Sequence, residues 1–161
     1  MKNKNKYILD STAISYILES FPRKLMEEVW FKFEEQCEDA YVITDRETKK
    51  ALDRELTENE SIEWISKHSE MFKPITQKEA EQLGKLVKES TFDFYNSSPA
   101  LVRRLPEATP FIISMAIEQG RILVMHKTCK DKKKVQQICA DNGITYIDVE
   151  EYLIKVKADI A

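Results

Sequence analysis

Lys6-Tyr7-Ile8-Leu9-Asp10 is an apolar run that stops at a carboxylate. Aromatic and β-branched residues pack well on a pleated surface, so Tyr7, Ile8 and Leu9 predict a buried strand. Asp10 then falls at the carboxyl end of that strand, followed by Ser11, Thr12 and an apolar segment. In open α/β sheets that edge is where ligands bind. Every later strand and loop matters here for what it would bring beside Asp10.

Downstream of Asp10, Ala13, Ile14, Ile17 and Leu18 recur at helical spacing, predicting a short helix that ends near Pro22. Leu25, Met26, Val29, Trp30 and Phe33 repeat the stripe and carry a second helix to about Cys37. Tyr41 to Thr44 is a short strand. Three capping boxes follow, in which a hydroxyl and a carboxylate would satisfy free helix amides reciprocally: Thr44 with Glu47, Thr57 with Glu60, and Thr76 with Glu79. The helices they open carry Leu52 and Leu56, then Ile62, Trp64 and Ile65, then Ala80, Leu83, Leu86 and Val87. Phe72 to Thr76 suits a short edge strand, where proline is tolerated. Residues 91–105 give mixed helix and loop signals, with a turn at Asn96-Ser97-Ser98-Pro99.

Thr109-Pro110 predicts an N-cap with proline at the first helical position. The helix that follows is apolar nearly all round, from Phe111 to Ile117, and is therefore central. Arg121 to Met125 is a second core strand, Val135 to Ala140 a helix, Ile144 to Asp148 a last strand, and Tyr152, Leu153 and Val156 face a final helix inward. Strands alternating with helices imply a parallel sheet with right-handed crossovers, built as one α/β domain over residues 1–161.

The composition is that of an ordinary globular chain, with 42% hydrophobic and 33% charged residues. A net charge of -3 supplies no global attraction to nucleic acid or anionic membrane, so an RNA contact would need a local patch. Cys37, Cys129 and Cys139 form no CxxC pair, and an odd count argues against a disulfide framework. Reduced thiols in a cytoplasm are the expectation. No signal peptide and no membrane-spanning stretch is expected. With only three glycines, Gly84, Gly120 and Gly143, a glycine-rich phosphate loop is excluded.

The strand ending in Asp10, the capped helix after the second strand, the buried helix before Ile122-Leu123-Val124-Met125-His126-Lys127 and the terminal Gly143-Ile144-Thr145-Tyr146-Ile147-Asp148 together resemble a PIN-like domain. The resemblance runs from about Tyr7 to Leu153 and is nearest to the larger PIN-like relatives of VapC toxins of toxin–antitoxin pairs. It implies a three-layer α/β fold, with a central, mostly parallel sheet of four to five strands flanked by helices. It also implies acidic side chains gathered from several strand ends to hold Mg²⁺ or Mn²⁺ and activate water against an RNA phosphodiester. Many such proteins form homodimers and are encoded beside an antitoxin.

Carried over position by position, the acids are mostly missing. Asp10 matches the first. Ala51, Thr109 and Lys127 stand where a helix carboxylate, an aspartate and a further carboxylate would be. The expectation is a degenerate domain without nuclease activity or bound cofactor, with Lys127 beside Asp10 holding it ionised in place of a metal. It would act by binding RNA or a protein such as an antitoxin. Two alternatives are an active Mg- or Mn-dependent endoribonuclease using Asp10 with Glu47, Glu107 or Asp131, and a purely structural subunit of an antitoxin complex. Asp45 and Glu55 lie near the second position as well, although Asp45 suits a helix dipole.

Lys127, Lys130, Lys132, Lys133 and Lys134, with Arg103 and Arg104, form a candidate phosphate-binding patch. No aromatic residue is interleaved with it for base stacking, so a solvated loop is the simpler expectation. His126 has no metal-ligand spacing, His68 is expected in solvent, Trp30 and Trp64 are expected in the core, and Cys139 is expected as a buried hydrophobe. Without the resemblance, Asp10 itself reads as a helix cap.

Overall fold

The computed structural model describes residues 5–89, 108–127 and 132–160. Five parallel strands, β1 (Tyr7–Leu9), β2 (Val42–Asp45), β3 (Phe72–Lys73), β4 (Ile122–Met125) and β5 (Tyr146–Asp148), form one sheet in the order β3-β2-β1-β4-β5. The expected α/β architecture is present, and the sheet is parallel throughout.

Eight helices are described. On one face lie α1 (Ser11–Glu19), α2 (Glu27–Glu38), α3 (Arg46–Glu55), α4 (Asn59–Lys67) and α8 (Val149–Ala158). On the other lie α5 (Gln77–Lys88), α6 (Thr109–Gln119) and α7 (Lys132–Asp141). Strand periodicity divides the core between them. Tyr7, Leu9, Val42, Val124 and Ile147 point into the first layer, and Ile8, Ile43, Leu123 and Met125 into the second. Strand order runs one way from β1 to β3 and then jumps back to β4. With right-handed crossovers the helices must change face at that reversal, and they do. The carboxyl ends of β1 and β4 are therefore the topological switch point of the sheet.

Several local expectations are met. Thr76 and Glu79 make the complete capping box of α5. β3 is an edge strand, followed at once by Pro74, and α6 is buried along most of its length. Trp30 and Trp64 are core residues, and Cys139 is buried, which pushes its thiol up to about 12.

Others need correction. Asp45, not Thr44, caps α3, because β2 runs one residue further than its apolar pattern and leaves the carboxylate at the strand–helix junction. At α4 the Thr57 box does not form. The Glu19 carboxylate instead accepts from the amides of Thr57 and Glu58, at 3.2 and 3.0 Å. Ala108 is the N-cap of α6 and Thr109 its first helical residue. Leu25 precedes α2 and is exposed, as are Ile62 and Val87, so the helical stripes are narrower than their apolar spacing suggests. His68 is half-buried rather than solvated: its ring stacks on Trp64 at 4.0 Å and its Nδ1 lies 2.9 Å from the Trp64 carbonyl. The segment 91–105, with its expected turn, lies outside the described residues.

Candidate functional site

Three strands end in the same way. Tyr7-Ile8-Leu9-Asp10, Val42-Ile43-Thr44-Asp45 and Tyr146-Ile147-Asp148 each place an aspartate where a strand hands over to a helix. Asp10, Asp45 and Asp148 are the N-caps of α1, α3 and α8, and each accepts a backbone amide at the helix start. The register pairs Ile8↔Ile43 and Leu9↔Val124, continued to the strand ends, set Asp10 level with Asp45 and Met125. Met125 is in turn level with Asp148. Neighbouring strands lie about 5 Å apart, so Asp45 is one strand from Asp10 and Asp148 two.

Asp10 is buried, 1% exposed. Its Oδ1 accepts from the Thr12 hydroxyl at 2.7 Å and the Ala13 amide at 2.9 Å. The Thr12 oxygen also accepts from the His126 amide at 2.9 Å, and the Asp10 amide donates to the Val124 carbonyl at 3.2 Å. These bonds tie the ends of β1 and β4 together. Oδ2 has no partner among the described residues. Burial pushes the Asp10 carboxyl up to about 7 against the hydrogen bonds from Thr12 and Ala13, and Glu55 adds a smaller upward push. Burial likewise raises Asp45.

Buried hydroxyls without partners among the described residues concentrate at the same edge: Ser11 at the start of α1, Thr44 on β2, Thr48 on α3 and Thr109 at the start of α6. Thr109 belongs here because α6 stops at Gly120, whose φ of 64° is a left-handed conformation that glycine adopts readily, and feeds β4 from its amino end. The helix therefore runs against the strands, and its first residue reaches their carboxyl edge.

The candidate residues disperse more than expected. Lys127 does not face Asp10: its ammonium lies 3.0 Å from Glu150 Oε1 on exposed surface, and that pairing raises its pKa. Asp10 is accordingly displaced upward by burial and not held ionised by a lysine. A Lys127→Met variant is expected to leave the Asp10 titration unmoved when followed by carboxyl carbon NMR. A displaced titration would return the ammonium to Asp10. Glu47 pairs with Lys50 at 3.0 Å, and Ala51 is buried and apolar. Lys132, Lys133 and Lys134 open α7, the last two exposed. Arg103, Arg104, Glu107, Lys130 and Asp131 lie outside the described residues.

Thr12, Thr48 and Asp148 go unnoticed in the sequence and Thr44 and Thr109 read there as helix caps, although the thrice-repeated strand–Asp–helix pattern was available to mark Asp148 beside Asp10 and Asp45. An aromatic pair also escapes it. The rings of Tyr16 and His126 lie 4.9 Å apart, half-buried, directly before Lys127.

Mg²⁺ and Mn²⁺ take several oxygen ligands with enough carboxylate charge to offset their own. Asp10 offers one free oxygen on a carboxyl that burial raises to about 7, and its edge neighbours are hydroxyls and Asp45, whose Oδ2 is engaged in capping α3. Among the described residues no three His, Cys, Asp or Glu side chains gather as a metal site requires. The described donor set does not fit either ion. Among the same residues no helix is long and apolar enough to cross a membrane.

No curated protein matches the chain. The family model described as a domain of unknown function, DUF4411, matches residues 7–160, spanning all five strands, the three strand-end aspartates and the Thr12 bridge. This chain belongs to the DUF4411 family.

Proposed function

We propose that this chain is a PIN-like domain of toxin–antitoxin ancestry that no longer cleaves RNA and acts by binding a protein. One observation carries this reading. Asp10, the acid such a nuclease would place on its metal, is enclosed, capped and raised in pKa to about 7, and among the described residues no three acidic, His or Cys side chains gather around it. Binding to protein takes precedence over RNA because Glu150 neutralises Lys127 and the whole chain is acidic.

RNA binding is the second reading, favoured by the Tyr16–His126 pair beside Lys127. Stacking on aromatic faces is how single-stranded bases are held without sequence preference.

The deciding experiment titrates Mg²⁺ and Mn²⁺ calorimetrically into wild type and Asp10→Ala, with single-stranded RNA cleavage assayed on the same samples. The expected result is no Asp10-dependent heat and no cleavage above the variant. Cleavage that disappears in Asp10→Ala would overturn the proposal and restore a metal site completed by acids such as Glu107 or Asp131.

A further inference from the structure

The α2 sequence Glu27-Glu28-Val29-Trp30-Phe31-Lys32-Phe33-Glu34-Glu35-Gln36-Cys37-Glu38 divides cleanly by helical spacing. Val29, Trp30, Phe33, Gln36 and Cys37 face the core. Phe31 points the other way and is 68% exposed. Residues three and four apart are neighbours on a helix surface. Around Phe31 those neighbours are Glu27, Glu28, Glu34 and Glu35, and Glu38 lies two turns on, so carboxylates hold all four of these positions beside the exposed ring.

Internal cations offset only part of this. Lys32 takes Glu35 at 3.2 Å, Arg23 takes Glu34 at 3.4 Å, and the His68 ring lies 3.6 Å from the other Glu34 oxygen. Among the described residues Glu27, Glu28 and Glu38 have no ion pair. Hollows flank both ends of the helix. One of about 580 Å³ is lined by Leu25, Met26, Ile160, Glu27 and Glu28 together with Lys24 and Lys157, with Leu25 82% exposed. One of about 440 Å³ is lined by Glu34, Glu38, Glu70 and Met71 together with Lys67 and His68.

We infer that the outer face of α2 is a docking surface for a cationic, apolar-bearing segment of a partner protein, with Phe31 as the buried anchor and the surrounding glutamates as its charged rim. An exposed aromatic rimmed by one sign of charge has the anatomy of a recognition patch: the apolar centre supplies affinity once desolvated, and the rim selects the partner's charge and speeds encounter. The same carboxylates repel nucleic acid. The inference builds on the protein-binding proposal above but is separable from it. Nuclease activity would remove that proposal and leave the α2 surface standing.

The test uses fluorescence anisotropy of a labelled amphipathic peptide made only of leucine and lysine, against its counterpart with glutamate for lysine. Wild type is expected to bind the basic peptide, more weakly at about 0.3 M than at about 0.05 M salt, and to ignore the acidic one. Phe31→Ala should weaken binding about tenfold or more with an unchanged melting temperature, since the ring is exposed. Glu28→Lys with Glu38→Lys should weaken it comparably. Glu81→Lys with Glu118→Lys, the same charge change on the opposite layer, should not. Equal weakening by both pairs would reduce the effect to diffuse electrostatics and sink the inference. So would undiminished binding by Phe31→Ala, or a wild-type self-association abolished by Phe31→Ala, which would make a second copy the occupant.

Discussion

Asp10→Asn is expected to stabilise the chain by roughly 2–4 kcal/mol at pH 8. Asparagine keeps the oxygen that accepts from Thr12 and Ala13 while removing a charge that has no countercharge around it among the described residues. The sign follows from the direction of the displacement. The carboxyl titrates near 3.8 when unfolded and at about 7 when folded, so between those values the native chain binds the proton more tightly. Its contribution is fully present below about pH 4 and is lost as pH rises through 7. Raising proton affinity that far corresponds to about 4 kcal/mol at most, and local relaxation reduces it. Urea melts of both proteins at pH 5, 6, 7 and 8 measure the effect, because other titrating groups cancel in the difference. The variant's advantage should grow by about 2–3 kcal/mol across that range. A constant difference, or a variant less stable at pH 8, would mean that the native carboxylate is ionised and paired.

Arg121→Ala should cost about 3–5 kcal/mol, the second large effect. Arg121 lies at the opposite, amino edge of the sheet and is buried. Its Nη1 donates to the carbonyls of Tyr7, Ala40 and Tyr41 at 3.1 to 3.3 Å, and its Nε donates to Gln119 Oε1 at 2.7 Å. Gln119 passes the connection on to buried Glu79 at 2.8 Å. Burial lowers the Arg121 pKa and Glu79 works against that, as expected of charges that compensate one another across the glutamine. Alanine strands the Glu79 carboxylate and uncaps the turn where Ala40 holds a φ of 61°, a left-handed conformation unfavourable for alanine. For a chain of this length the melting temperature should fall by about 10 °C. Glu79→Gln in the Arg121→Ala background should recover part of the loss, since it removes the stranded charge. A loss below about 1 kcal/mol would show the network to be dispensable.

The two edges of the sheet were unequally legible. Tyr7 to Asp10, the buried α6 and the strand from Ile122 to Met125 could be read directly, because strand and helix formation depend on apolar periodicity, a property of neighbours in the chain. The α/β class and the parallel sheet followed from their alternation. The cap at Asp10 was readable for the same reason, since it joins residues three apart. The capping box at Thr76 was equally local and correct, whereas those at Thr44 and Thr57 failed for reasons beyond the motif: β2 continues to Asp45, and Glu19 arrives from α1, 38 residues earlier in the chain, to take the Thr57 amide.

What sequence alone determined, then, is the succession of elements, their inward faces and the strand-end position of Asp10. Tertiary structure decided the chemistry of that position. Only the fold shows that the Asp10 carboxyl is enclosed and its pKa raised by burial, that Thr12 bridges it to the His126 amide 114 residues away, and that Lys127 turns to Glu150 instead. The physical reason is that burial and long-range pairing depend on which surfaces the crossovers bring together. A charge's solvation, unlike a helix's periodicity, is not written in its neighbours along the chain.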